Sequence, residues 1–542
     1  MKRKMKILLL AVLLLAAVLR FYQVTEYPAG VNADEAAYAY NAYSLAQTGK
    51  GEQGEVWPAH LISFADYKPV GTAYILLPLV KIFGLNEGVL RFPSALAGVI
   101  SVAVLFFLIK KLFANELFAL VSAFFLAISP WHIHFSRGAW ETNLATTFML
   151  VGLWLFLKGL ENPKYFLLSI LNFSFSMYTY HSPRVVIPLL GLFLIFFYRK
   201  QLLKRLKWIA ISAALGLVLI TPLVVSFTGP AGSARFSGVS IFSDIGPLWW
   251  VNRARGEHFN PQAVYSRLFH NRPVIYALRF SQNYFNHFDG VFLFILGDNI
   301  KRSNGPDMGE MYLFDFAFLL AGFYFLFRKR PKNWQLPIAW LILAPIPAAL
   351  TFQTPNALRA HNMIIPLVVI SAYGFYNLLE FLKKSSPKLL FTVYCLLFIV
   401  FINWNVSYFL HQYFVHYSQK YPEAWEYGFK ELVAFLEPIK DDYQKIYITE
   451  QYDQPYIIFL FYMRYPPEKF QKEVVLTPRD KFGFSTVRDF DNFHFENIDW
   501  GALAGHGNSL VCGTDEEIPD NAKIIRTVFF RNGKPAFQCA KI

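Results

Sequence analysis

Apolar runs long enough to cross a bilayer, at about 20 residues per helix, recur along the chain. They lie near residues 6–22, 88–109, 115–130, 143–158, 164–180, 185–198, 208–227, 311–327, 334–352, 362–382 and 388–405. Basic clusters mark alternate junctions: Lys2 to Lys6, Lys110 and Lys111, Lys158 and Lys164, Arg199 to Lys207, Arg328 to Lys332, and Lys383 to Lys388. The positive-inside rule assigns that edge to the cytoplasm. An odd count of about eleven spans then predicts a cytoplasmic amino terminus and puts loops 23–87, 131–142, 228–310 and 353–361 on the opposite face, with everything after 405. Beyond about residue 406 the pattern changes. "EAWEYGFKELVAFLEPI" spaces Trp425, Phe429, Leu432 and Phe435 or Leu436 along one helix face, while "KIYITE", "KEVVLT", "SLVCG" and "KIIRTVFF" read as short strands. The pattern predicts a mainly α, polytopic membrane protein: a transmembrane domain over 1–405, and a small extracytoplasmic α/β domain over 406–542 docked on it.

Composition agrees. The chain is 55% hydrophobic and only 16% charged, well below the roughly 25% charge of soluble domains. A net charge of +14 belongs to the flanks of the spans, so it argues for no nucleic-acid partner. "MKRKMK" and the apolar run behind it look like a signal peptide, but "YPAG" is a poor cleavage site, and a retained first span is expected. Of three cysteines, Cys512 and Cys539 lie in the tail, where an oxidising compartment would let them pair, and Cys395 sits in an apolar run.

The outer loops hold ionisable residues that such a chain has to justify. In "NADEAAYAYNAYSL", Asn32 is an N-cap with Glu35 three residues on, which predicts an interfacial helix begun by a capping box. Serving the helix start would account for one acid, not two. Helical spacing puts Asp34, Asn41 and Ser44 on one polar stripe. "FADYKPVGTAYILLPLVKIFG" adds Asp66, Tyr67 and Lys68 ahead of a second interfacial helix broken by Pro78. "SPWHIHFSRGAWETN" supplies His132, His134, Arg137 and Glu141; "YTYHSPR" supplies His181 and Arg184; "TPNALRAHN" supplies Arg359 and His361. Each alone fits a head-group contact. Gathered at one membrane edge, acids can take a proton from an acceptor hydroxyl while cations hold a departing phosphate.

The order and spacing of "NADEAAYAYNAYSLAQTG", "DYKPVGTAYI", "SPWHIHFSRGAWETN", "SMYTYHSPRVVIPLL", "GDNIKRSNGPDMGEMYLFDFAFLLAGF" and "LRAHNMIIPLVVISAYGF" resemble bacterial family 39 integral-membrane glycosyltransferases. These have the GT-C fold, and protein O-mannosyltransferases and lipid A aminoarabinose transferases are relatives. The resemblance spans about residues 1–385. It implies that Asp34 is the catalytic base with Glu35 its neighbour in an Asp-Glu pair, and that Glu141 orients acceptor or sugar. It likewise implies that Lys68 with Pro69, and Arg359, hold the donor's lipid phosphate, a task Arg137 would share. Relatives often place an acid directly before that lysine; here Tyr67 intervenes and Asp66 stands one place earlier. Asp66, Tyr67, Asn41, His181, Arg184 and His361 are further substrate contacts to test.

The activity so implied is inverting transfer of a sugar from a polyprenyl-phosphate donor to a hydroxyl of a lipid, protein or polysaccharide. No cofactor is required, a divalent metal being the less favoured option. A flippase would instead place polar groups at mid-membrane and show inverted repeats. A metal-dependent oligosaccharyltransferase-like enzyme would draw Asp34, Asp66, Glu141 and His132 or His134 onto one cation. The aromatic and basic loop 228–310, with Trp249, Trp250, Arg253 and Arg255, is the candidate determinant of substrate choice.

Overall fold

A computed structural model describes residues 2–64, 66–227, 238–478, 485–503, 505 and 507–542; residues 228–237 of the third outer loop fall outside this set. The chain begins α1 (Arg3–Phe21), α2 (Ala33–Thr48), β1 (His60–Ser63), β2 (Asp66–Pro69), α3 (Gly71–Phe83), α4 (Glu87–Phe113), α5 (Glu116–Ile128), α6 (Pro130–Arg137), α7 (Glu141–Gly159), α8 (Tyr165–Thr179) and α9 (Pro183–Phe197). Further apolar helices are Leu206–Phe227, Leu313–Lys329, Gln335–Leu343, Ile364–Ser385 and Lys388–His411. Every expected apolar run is therefore helical. Among the described residues, Glu87–Phe113, Arg199–Ser226, His361–Ser385 and Lys388–Lys420 are long and apolar enough to cross a membrane, and α5 with α6, bent by 56°, has the length and composition of a broken span or a re-entrant loop. The remaining runs give shorter or more heavily charged helices. The run 334–352 divides because Pro345 has no N–H to continue the helix, which resumes only as Ile346–Ala349.

The chain forms two compact units. The first comprises Met1–Ala16, Ile100–Ile133 and Ala145–Val406. Its tightest crossing is between helices Leu313–Lys329 and Ile364–Ser385. A Cβ on Gly322 would lie 2.1 Å from the Ile370 carbonyl oxygen, and one on Gly374 1.9 Å from that of Phe318. Small residues let these backbones meet directly.

The second unit comprises Ala17–Val99, His134–Leu144 and Ser407–Ile542. The tail from Ser407 thus clusters in one compact unit with residues 17–99 and 134–144. Its sheet has the order β4-β5-β6-β3-β7-β9-β8, where β3 (Lys445–Thr449), β4 (Val475–Leu476), β5 (Val487–Phe490), β6 (Phe493–Glu496), β7 (Ser509–Gly513), β8 (Lys523–Phe529) and β9 (Pro535–Lys541) follow chain order. Central β3 runs parallel to β6 and β7, and the other pairs are antiparallel. Its near-continuous apolar "KIYIT" is what a strand covered on both faces needs. Cys512 and Cys539 oppose each other on β7 and β9 and form a disulfide. The predicted helix occupies Phe429–Leu436 and buries Phe429, Leu432, Val433 and Leu436.

Candidate active site

The capping box forms as expected: the Glu35 N–H donates to Asn32 Oδ1 at 3.0 Å, and the Asn32 N–H to Glu35 Oε2 at 3.3 Å. α2 is buried on most sides, packing in the second unit against α3 and the helix Pro455–Tyr462. Its alanines permit that close approach, and the Tyr40 hydroxyl donates to the Tyr465 carbonyl at 3.0 Å.

The two adjacent acids do different things. Asp34 remains 28% exposed at the side chain and accepts a hydrogen bond from the Lys68 ammonium, which is nearly buried. Lys68 is delivered by the β1–β2 hairpin, where it pairs with Leu61, and its Nζ lies 4.6 Å from the centre of the Phe64 ring. Burial alone would lower its pKa. Carboxylates outweigh that, Asp34 first and then Asp66 and Glu141, and hold the ammonium above the ordinary lysine value. Asp66 also caps its own turn, accepting the Tyr67 N–H at 2.8 Å. Glu141 stands almost buried in the first turn of α7. The second unit therefore brings Asp34, Asp66, Lys68 and Glu141 to one place, while Tyr67, the strand neighbour of Lys68, points to the opposite face of the hairpin.

Glu35 turns inward. Arg91 grips it bidentately, Nε to Oε1 at 3.1 Å and Nη2 to Oε2 at 3.0 Å, and Oε1 also accepts the Ala139 N–H at 2.7 Å. The same guanidinium donates to the carbonyls of Val24, Pro28 and Gly30. One buried pair thus ties the entry to α2 to the turn before Glu141. Expected as a catalytic neighbour, Glu35 is spent on this brace.

Arg137 is likewise committed. Its guanidinium donates to the carbonyls of Leu19, Tyr22, Gln23 and Tyr27 and lies 4.9 Å from the centre of the Phe414 ring. A cation at the carboxyl end of α1 satisfies carbonyls that the helix leaves open. Both terminal nitrogens of Arg137 are thus engaged in bracing that turn. Asn41, two turns along α2 from Asp34, faces the loop behind it: Nδ2 donates to Ala37 and to Glu52, and Oδ1 accepts the Glu52 N–H.

The first unit holds the other expected residues. Arg359 donates from Nη1 to the Thr351 hydroxyl at 2.7 Å, and its carbonyl accepts from Ser182 at 3.0 Å. Arg184 lies 3.0 Å from His181 Nδ1 and donates to the Met177 carbonyl. His361 meets the Thr146 hydroxyl at 3.1 Å and stacks on His132. The pattern gave no sign of Asp298 and Glu310. Asp298 accepts the Ala357 N–H at 2.7 Å and donates its own N–H to Glu310 at 3.0 Å, so this acid pair shapes the loop that carries Arg359. Burial raises the pKa of both carboxyls. Arg91 did leave a signal, as a lone cation inside an apolar run. Among the described residues, no group of three or more His, Cys, Asp or Glu side chains is placed to hold a metal ion.

Residues 67–225 match the family model for dolichyl-phosphate-mannose-protein mannosyltransferases. ArnT from Cupriavidus metallidurans has a similar structure in the apo state, at 13% identity and a TM-score of 0.55, over 98% of this chain and 97% of that one. The same protein bound to undecaprenyl phosphate matches at 12% identity and a TM-score of 0.55, over 99% and 98% of the two chains. The chain therefore has the GT-C fold of these proteins, and its residues 67–225 resemble the mannosyltransferase family. The archaeal oligosaccharyltransferase AglB from Archaeoglobus fulgidus, in complex with an inhibitory peptide and a dolichol-phosphate, shares the GT-C fold at 13% identity and a TM-score of 0.52. That match covers 85% of this chain but only 63% of AglB's length. No curated protein matches the sequence.

Proposed function

We propose that this GT-C protein transfers a sugar from a polyprenyl-phosphate donor to an acceptor hydroxyl on the extracytoplasmic face, with inversion by single displacement. The observation that carries the reading is the Asp34–Lys68 pair: a part-exposed carboxylate at a helix start, bonded to a nearly buried ammonium delivered from a separate hairpin. When the donor phosphate arrives it competes for Lys68, and Asp34 is released to accept the acceptor's proton. The acceptor oxygen then bonds to the anomeric carbon as the bond from that carbon to phosphate oxygen breaks. Polyprenyl phosphate leaves with the electron pair, its charge held by Lys68. Glu141 orients the acceptor or sugar, while Glu35 and Arg137 hold the scaffold.

Binding of undecaprenyl phosphate by ArnT and of dolichol-phosphate by AglB supports a polyprenyl-linked donor. The Cys512–Cys539 disulfide supports a tail in an oxidising, extracytoplasmic compartment and so a cytoplasmic amino terminus. Because the ammonium already serves the phosphate, the reading is metal-independent.

The test is release of polyprenyl phosphate by purified protein from a panel of polyprenyl-phosphate sugars, with and without chelator. Asp34→Asn, nearly isosteric, should abolish release while the protein stays folded, and chelator should leave the wild-type rate unchanged. Substantial turnover by Asp34→Asn removes Asp34 from the base role, and chelator sensitivity favours the oligosaccharyltransferase-like alternative.

A further inference from the structure

Behind Lys68 lies a second carboxylate to which the transfer reaction assigns no role. Glu52 is fully buried, and its carboxylate and N–H find partners on three other elements. Oε1 accepts the Tyr456 hydroxyl at 2.6 Å, from the tail helix Pro455–Tyr462. Oε2 accepts the Ser63 hydroxyl at 2.8 Å, from β1, and Asn41 Nδ2 at 3.1 Å, from α2; the Glu52 N–H returns to Asn41 Oδ1 at 2.8 Å. Ser63 pairs with Asp66, and two steps along the same ladder Leu61 pairs with Lys68. The loop is tied down further where Gln471 Nε2 donates to the Gly51 carbonyl at 2.8 Å.

No cation stands among these partners. A buried carboxylate held only by neutral donors costs more than an amide of the same shape would. What it provides is three convergent acceptor contacts, which fix the helix bearing Asp34, the hairpin bearing Lys68 and the tail helix against one another.

We infer that Glu52 is a positioning residue for donor binding, through which the tail domain sets the place of Lys68 opposite Asp34. This rests on the reading of Asp34 and Lys68 as the base and phosphate-binding pair. Glu52 touches neither donor nor acceptor and exchanges no proton with them. The consequence is that the tail, beyond its own fold, acts on the outer-loop site through the Tyr456 hydroxyl, with Gln471 holding the same loop.

The experiment uses full-length protein in detergent with three variants: Glu52→Ala, Glu52→Gln and Tyr456→Phe. It measures turnover, binding of undecaprenyl phosphate, and hydrogen exchange of the amides of residues 60–69. Glu52→Ala should weaken undecaprenyl phosphate binding and raise the donor KM roughly tenfold, the effect of misplacing one charged contact, with kcat less affected and hairpin exchange faster. Glu52→Gln, which keeps the shape and can keep all three contacts with its oxygen toward Ser63 and Asn41 and its amide nitrogen donating to the Tyr456 hydroxyl, should restore most of the affinity; Tyr456→Phe, which leaves no cavity, should reproduce a smaller loss and guards against an unfolded alanine variant. An active wild type with all three variants unchanged in donor KM and hairpin exchange overturns the inference. Glutamine as impaired as alanine also overturns it, since the charge rather than the position would then matter. If wild type neither binds nor turns over donor, the functional reading fails instead, and the exchange measurement alone decides whether Glu52 holds the hairpin.

Discussion

Replacing Glu35 by glutamine separates a brace from a catalyst. Both partners of the Glu35–Arg91 pair are essentially sealed from solvent, at 1% and 0% side-chain exposure, so neither can exchange its lost partner for water. Breaking a buried ion pair on one side costs about 3–5 kcal/mol, most of it the stranded charge. In Glu35→Gln the Arg91 guanidinium keeps its three carbonyl acceptors but loses its counter-ion, and the Ala139 N–H loses a charged acceptor. Adding Arg91→Met removes the stranded cation, so the double variant should be more stable than the sum of the two single changes predicts by at least ~1 kcal/mol. It will not match wild type, because the carbonyls of Val24, Pro28 and Gly30 are orphaned at about 1 kcal/mol or more each. Thermal unfolding of full-length protein in detergent reads these differences. Turnover per folded molecule should stay within roughly tenfold of wild type, a barrier change of about 1.4 kcal/mol. Glu35→Gln that melts like wild type yet has no turnover would refute the brace and return Glu35 to the reaction.

Lys68→Met should lower kcat/KM for the donor by roughly a hundredfold or more, the scale of losing one preorganised charge contact to a departing oxyanion, read by polyprenyl phosphate release; an unchanged value removes Lys68 from the phosphate site. The buried Glu52 gives a pH dependence of stability. Burial raises it from about 4.5 to about 7, with nearby Glu55 adding repulsion and hydrogen bonds from Tyr456, Ser63 and Asn41 opposing. A folded pKa above the unfolded one means its contribution is fully present below about 4.5 and is lost as pH rises through about 7. The loss approaches roughly 3 kcal/mol at about 1.4 kcal/mol per pH unit, and Glu52→Gln should flatten the melting temperature over that window. Cys512→Ser with Cys539→Ser opens a link across 27 residues of sequence, which should destabilise the tail by about 2–4 kcal/mol, measured as earlier unfolding of the same unit; equal melting would show the bond to be absent in solution.

Periodicity made the membrane class and the tail's character legible, because both rest on local sums: apolar length for spans, and alternation for strands such as "KIYITE" and "SLVCG". The capping box at Asn32 and Glu35 was also readable, since its partners are three residues apart. Five strands went unseen: β1, β2, β5, β6 and β9. β5 and β6 are four residues each and turn through Asp491, whose φ of 51° no local hydrophobic pattern announces. The helix α6 was read as loop, although Pro130 at its start is an admissible first residue.

The sequence by itself determined that acids and cations gather in the outer loops, because a chain this apolar keeps few charges and each shows. Only the tertiary structure decided which of them pair with which. Asp34 and Glu35 are neighbours with the same chemistry, yet a helix turns consecutive side chains about 100° apart, so one reaches Lys68 and the other Arg91. Glu35 and Arg91 are 56 residues apart, and Glu52 and Tyr456 are 404 apart. Burial and pairing over such separations are properties of packing, which no window of sequence contains.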